Sequence, residues 1–223
     1  MAVYIIDTET TGLTDPVPVQ VAYVEIDGNL REVDSRSDYF NPGKPIECGA
    51  MATHHVLDED VQGKPPFSSY KFPEGVGYII GHNIDFDWMV LGSPDVKRIC
   101  TLAISRALYP AQESHTLGAM LYLLSDDRKA TRESLKRCAH SASGDCLLTR
   151  LLLWHLLDAV NFLYPLDFEE LWAFSEKSRI PSVMSFGKHK GAKVGDVPAD
   201  YRRWYAGQPD ADPYLLKAWG MDR

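Results

Sequence analysis

No apolar run in this chain approaches the roughly 18 residues of a membrane-spanning helix. The longest, Cys146–Val160, is interrupted by Thr149, Arg150, His155 and Asp158, so no membrane partner is expected. Cysteine is scarce: Cys48, Cys100, Cys138 and Cys146 form no CxxC pair and no framework spacing. A disulfide scaffold is therefore not expected, and a reduced, cytoplasmic chain is. Met1 leads straight into a strand-like run without a charged n-region or cleavage site, so no secretory signal is expected. Internal repeats and low-complexity tracts are lacking. Positive charge is also in deficit, with a net charge of −8. That argues against a protein that coats nucleic acid. It does not exclude an enzyme that holds divalent cations with carboxylates and grips a strand through a local basic patch.

What is present is material for a core. The 223 residues are 45% hydrophobic and 24% charged, which excludes disorder over most of the length and fits one ordinary domain plus an appendix. Charge is uneven. From Glu176 to Tyr205 seven basic residues face three acidic ones, a local +4 on a chain that is −12 elsewhere.

Val3–Asp7 reads as a short buried strand ending in a turn at Thr11-Gly12-Leu13. Val17–Asp27 alternates and is β-branched, Asp27-Gly28-Asn29 is a hairpin signal, and the polar Arg31–Phe40 returns as an edge strand. Short helices are expected over 47–56 and 58–62, strands over 78–80 and 98–100, and helices over 85–91, 101–109 and 116–124. Ser125–Arg137 is a solvated loop or helix face, Asp145–Phe162 is the longest helical pattern, and Asp167 with Glu170 resembles a capping box. This order fits an α/β mixed sheet flanked by helices. A boundary falls near Arg179-Ile180-Pro181, dividing the chain into 1–179 and a small α+β module, 180–223. In that module Val183–Phe186 and Lys193-Val194 read as strands and Pro198 as the start of a helix. A module this small needs its large apolar side chains, so Phe186 and Trp204 are expected in its core.

Three acidic constellations stand out. Asp7-Thr8-Glu9 ends a nearly continuous apolar strand. Side chains alternate along a strand, so both carboxylates point to one side and call for a hard divalent cation between them. A strand running out into a polar turn is the alternative. Gly81-His82-Asn83-Ile84-Asp85-Phe86-Asp87 follows an apolar strand and opens a helix. There Asp85 and Asp87 also fit as first-turn acids favoured by the helix dipole. His140 precedes Asp145 by five residues, about 500° of ideal helix, which leaves the two about 140° apart. They converge only if His140 lies before the regular helix, and Ser141-Ala142-Ser143-Gly144 is consistent with such an entry.

Ile5–Leu13 (IIDTETTGL), Gly81–Asp87 (GHNIDFD), His140–Asp145 (HSASGD) and Ala50–Val56 (AMATHHV) together resemble the DEDDh, or DnaQ-like, 3′→5′ exonuclease superfamily. The tail, FGKHKG followed by DVPADYRRWY in Phe186–Tyr205, is similar to the C-terminal module of a bacterial exodeoxyribonuclease branch of it. The resemblance implies a ribonuclease H-like fold and hydrolysis of the 3′-terminal phosphodiester of DNA to 5′-mononucleotides. It implies two Mg²⁺ or Mn²⁺ ions, with ligand roles on Asp7, Glu9, Asp87 and Asp145 and with Asp85 a bystander. His140 becomes the general base, a task that histidine as a residue type suits because an imidazole exchanges its proton near neutral pH. The resemblance places substrate contacts on Thr11, Gly12, Leu13, His54 and Asn83; in the tail it is the mix of cations and aromatics that makes Lys188 and Lys190 candidate strand contacts. One departure is the Gly144-Asp145-Cys146 sequence, where the motif commonly places an apolar residue after the Asp. The expected partner is a DNA 3′ end, single-stranded or duplex, and a homodimer is left open. An RNA exonuclease on the same fold and a non-catalytic nuclease-fold binding subunit are the competing readings.

Overall fold

Val3, Tyr4, Ile5 and Ile6 are all buried, as a run without alternation requires of a strand covered on both faces. In the computed structural model, which describes residues 1–221, they lie in β1 (Ala2–Thr10). This strand is the centre of a five-stranded sheet of order β3-β2-β1-β4-β5. β2 (Pro18–Ile26) and β3 (Glu32–Tyr39) run as an antiparallel meander beside β1. β4 (Val76–Gly81) and β5 (Lys97–Cys100) continue parallel on its other side. β3 is the exposed edge that its polarity predicts, and its charged residues disfavour pairing with a further strand.

The two faces of the sheet carry separate cores. Val3 and Ile5 pack with Leu152, Leu153, Leu156 and Leu157 of α7 (Ala142–Asp158). Tyr4 and Ile6 pack on the opposite face with Ile79 and with Ile84 and Leu91 at the ends of α3 (Ile84–Val90). Around this frame sit α1 (Cys48–His54), α2 (Asp58–Val61), α4 (Thr101–Leu108), α5 (Leu117–Leu124), α6 (Arg128–Cys138) and α8 (Phe168–Ser178). The charged 125–137 stretch is helical from Arg128 onward, as α6, with Asp127 as its N-cap. Asp167 caps α8 by accepting from the backbone N–H of Glu169 and Glu170.

α7 begins three residues earlier than expected, at Ala142, because two groups close its first turn. Ser141 caps it by accepting from Gly144 N–H, and the Gln20 side-chain carbonyl on β2 accepts from Ala142 N–H at 3.1 Å. Gly144 itself has a steric reason. A Cβ there would lie 1.9 Å from the backbone oxygen of Cys138, at the end of α6. Backbone cannot yield as a flexible side chain can, so Gly144→Ala must displace the α6–α7 corner. We expect a loss of ~1–3 kcal/mol, the usual cost of overpacking. A thermal melt checks this; a variant that melts like the unaltered chain would refute it.

The tail departs from expectation. Among the described residues it contains no strand, only an isolated bridge between Val183 and Lys193. The segment is too short and too rich in glycine to build a ladder: Gly187 and Gly191 both take positive φ in the turn between the bridged residues. Two helices, α9 (Ala199–Ala206) and the unforeseen α10 (Pro213–Ala218), enclose a small core of Met184, Val194, Val197 and Leu215. Phe186 and Trp204 are not part of it: they are 38% and 58% exposed.

Candidate active site

The alternation of β1 puts Asp7 and Glu9 on the Val3/Ile5 face, towards α7, and Thr8 on the face of α3. Asp145, in the first turn of α7, meets them there: Asp7, Glu9 and Asp145 each offer a carboxylate oxygen, all within 4.8 Å of one another. The helix entry that carries Asp145 is held from the sheet. Gln20, which anchors Ala142, is the residue paired across the strands with Glu9.

Asp87 approaches from the other side of β1. It lies outside that trio, yet near enough for its charge to act on Asp7. Its Oδ1 accepts from Thr8 N–H at 2.9 Å and from Thr8 Oγ1 at 2.7 Å. Thr8 thus orients Asp87, a role not legible in D-T-E beyond the fact that position 8 faces away from its acidic neighbours. His140 sits just before the N-cap with φ 65, exposed, and its backbone N–H donates to Asp145 Oδ2 at 3.2 Å. The geometric condition set by the five-residue spacing is met because this left-handed residue turns the chain before the helix starts.

The electrostatics of the cluster are those of crowded anions. Burial, then the charges of Asp87, Asp145 and Glu9, hold the Asp7 carboxyl well above its ordinary range. Burial and the charges of Asp145 and Asp87 push Glu9 up to about 8. Asp87 rises to about 7 through burial, against the opposing pull of the Thr8 hydrogen bonds. Asp145 rises to about 6, again through burial, opposed by the bond from His140 N–H. Among the described residues no Lys or Arg pairs with any of the four. A set of hard oxygen donors lacking a cationic partner is what a divalent ion fits.

The sign of these shifts gives a prediction. A carboxyl whose folded pKa exceeds its unfolded value keeps its proton longer in the folded state, so stability falls as pH rises between the two values. For Glu9 that window runs from 4.5 to about 8. In EDTA, melting temperature should therefore gain more from Glu9→Gln at pH 8 than at pH 5. Mn²⁺ should stabilise the unaltered chain most at the alkaline end. Equal gains at both pH values would contradict the crowded-anion account.

The remaining candidates lie outside this carboxylate trio. Thr11 is 1% exposed, with its hydroxyl accepting from Val17 N–H, so its side chain serves the turn. Gly12 has φ 152, and a Cβ there would lie 2.3 Å from the Glu47 carboxyl carbon. Leu13 is exposed at the tip. His54 is buried and both ring nitrogens are engaged: Nδ1 accepts from Val56 N–H, so Nε2–H donates to Thr10 O at 3.1 Å. Burial lowers its pKa, and the neutral ring fastens the chain just before Gly12. Asn83 is exposed with φ 77, a conformation asparagine tolerates. Its neighbour His82 is structural, bonded to Thr101 Oγ1 and His115 O. Lys188 and Lys190 are exposed in the turn between the bridged Val183 and Lys193. Asp85 stays outside the carboxylate cluster and pairs instead with Arg98 and with Arg179, whose side chain is buried.

Residues 4–153 match the family model RNase_T, described as an exonuclease. Exodeoxyribonuclease 10 of Escherichia coli (strain K12) is 30% identical over 206 residues, covering 90% of this chain and 88% of that protein. A DNA polymerase III subunit epsilon-like protein of Rhodobacter capsulatus is 29% identical over 175 residues, which is 70% of this chain but 24% of that one. Among solved structures, exonuclease X in complex with 5′ overhanging duplex DNA superposes with a TM-score of 0.58 at 26% identity, covering 78% of this chain and 99% of that one. The zinc-bound complex of E. coli ExoI with single-stranded DNA shares the fold, with a TM-score of 0.56 at 19% identity, over 77% of this chain and 43% of that one.

Proposed function

Because the chain belongs to the RNase_T exonuclease family, we propose that it is a 3′→5′ exonuclease that hydrolyses the terminal phosphodiester of DNA and releases 5′-mononucleotides. The observation that carries the reading is the convergence of Asp7, Glu9 and Asp145 at the end of β1, with Asp87 behind them and, among the described residues, no Lys or Arg paired with any of the four. Asp7, Glu9, Asp87 and Asp145 would hold two Mg²⁺ or Mn²⁺ ions. Bound divalent ions would supply Lewis-acid polarisation of the phosphate and a water acidic enough to serve as nucleophile near neutral pH.

The chain's own residues do the rest. His140, exposed beside Asp145, takes the proton of the attacking water as general base. Its backbone N–H, by bonding Asp145, keeps base and ligand in one unit. Thr8 keeps Asp87 aimed from across the strand. Gly12 lets backbone approach the terminal nucleotide, and Leu13 offers an apolar face to a base. His54 positions this loop through Thr10 rather than touching the strand. Asn83 is free to meet the sugar-phosphate. The choice of DNA rests on the likeness to exodeoxyribonuclease 10 along 90% of the chain, which includes much of the tail.

The test is degradation of matched DNA and RNA strands, labelled at either end, with Mg²⁺, Mn²⁺ or EDTA. The expected result is stepwise shortening from the 3′ end of DNA, dependent on metal. Faster attack on RNA would replace the substrate assignment. No degradation of either, with no Mn²⁺ binding by calorimetry, would leave a binding subunit.

A further inference from the structure

The C-terminal module spends its aromatics in an unusual way. Its core closes on Met184, Val194, Val197 and Leu215, with Tyr201, Tyr205, Ala218 and Trp219 packed against it. Two further large rings remain at the surface. Phe186 lies against Tyr205 with centroids 5.6 Å apart, and Trp204 against Tyr201 at 5.3 Å. His189 meets Tyr201 edge-on at 4.6 Å. These ring pairs bring the 186–190 turn onto the same side of α9 as Trp204.

The turn carries cations. Lys188 and Lys190 flank His189 and are exposed, as are Lys193 and Arg203 nearby. Among the described residues none of these four has an acidic partner. The turn is ordered: Lys190 N–H donates to Gly187 O, Gly191 N–H to Met184 O and Ala192 N–H to His189 O. Gly187 is required there, since its φ is +67 and a Cβ would stand 2.9 Å from Tyr201 Oη. Unpaired lysines held beside half-exposed rings, on a chain that is otherwise strongly acidic, complement a flexible polyanion that has flat groups to stack.

The module is also clasped to the nuclease domain. The Arg179 side chain, 5% exposed, pairs with Asp85 on α3 and with Glu176 on α8. Its guanidinium lies 5.3 Å from the Tyr214 ring centroid on α10, and Tyr214 Oη donates to Glu176 at 3.0 Å. Asp85 is two residues from Asp87, so the clasp ties the module to the helix that presents that carboxylate.

We propose that Lys188, Lys190, Phe186 and Trp204 form a second binding surface for the DNA strand, holding single-stranded DNA away from the scissile phosphate by phosphate neutralisation and base stacking. This inference rests on the DNA reading above. Lysines that neutralise phosphates release counterions and make affinity salt-dependent, whereas a stacked ring does not. The two kinds of interaction can therefore be separated.

The experiment measures binding of labelled oligodeoxythymidine, long or only a few nucleotides, across a salt series. It uses the full chain carrying Asp7→Asn so that the strand survives. Adding Lys188→Gln with Lys190→Gln should weaken binding of the long strand and flatten its log–log salt slope by about 1.4, since each single-strand phosphate left without its lysine takes ~0.7 from the slope. Adding Trp204→Ala instead should weaken it about five-fold or more, with the slope unchanged. The few-nucleotide strand should respond little to either. Both lysine replacements are at exposed positions, so the double variant keeps the test independent of any folding defect caused by Trp204→Ala. Unaltered affinity and slope in the lysine variant, while the unsubstituted chain degrades DNA, would overturn this inference alone and turn attention to a protein partner. An unsubstituted chain that neither binds nor degrades DNA would overturn the parent reading instead.

Discussion

Replacing Asp7 with asparagine is expected to reduce hydrolysis to background while the chain stays folded. Asp7 is the acid on which the other three charges converge: Asp87, Asp145 and Glu9 all raise its pKa, after burial. A group so placed is the one best situated to be shared between cations. Asparagine keeps its shape and removes its charge. In the absence of metal the folded state already favours the neutral carboxyl, so the substitution relieves a cost without giving up an attraction. The metal-free variant should therefore melt no lower than the unaltered chain. Its advantage should widen as pH rises above 3.8, the ordinary value of the group. Mn²⁺ should stabilise it less. Calorimetry, thermal melts at two pH values and a rate in Mg²⁺ together test this. Near-normal turnover by a folded Asp7→Asn chain would refute the metal-ion reading of the cluster.

The second large effect is expected at His140. Removing a general base costs on the order of 10²–10⁴ in rate, and His140→Ala should fall in that range. The structure separates this loss from one of architecture. The imidazole is exposed, and the bond that steadies Asp145 comes from the backbone N–H, which alanine retains. Metal affinity should accordingly survive, and raising the pH should restore part of the rate by supplying hydroxide. Position 140 has φ 65, which alanine accepts poorly, so His140→Asn is the companion variant because asparagine tolerates the left-handed region. If both variants lose Mn²⁺ binding along with rate, His140 is a structural residue or a ligand.

Much of this site is legible without coordinates, for identifiable reasons. That Asp7 and Glu9 share a face follows from strand alternation. That the strand is central follows from four consecutive apolar residues, which only a doubly covered strand can bury. The five-residue step from His140 to Asp145 is readable as a condition on where the helix begins. These are local regularities, set by backbone geometry within one element or across one turn. The same reasoning misplaces the tail strands and misses α10, because in a short glycine-containing stretch local preference is weak and packing decides.

By itself the sequence determined the order of strands and main helices up to about residue 179, the central strand and its edge, the placement of acids at strand ends and helix starts, and the local excess of positive charge after Glu176. Only the tertiary structure decided which distant groups meet. Gln20 reaches the first turn of α7 across 122 residues and Thr8 reaches Asp87 across 79. Asp85 reaches Arg179 across 94, and Gly144 is demanded by a carbonyl on the preceding helix. Exposure of Phe186 and Trp204 belongs to the same class, since an aromatic side chain looks identical in sequence whether its module has room for it inside or not. Periodicity encodes what each element buries; long-range pairing depends on how the elements cross, and that is settled only when the whole core is packed.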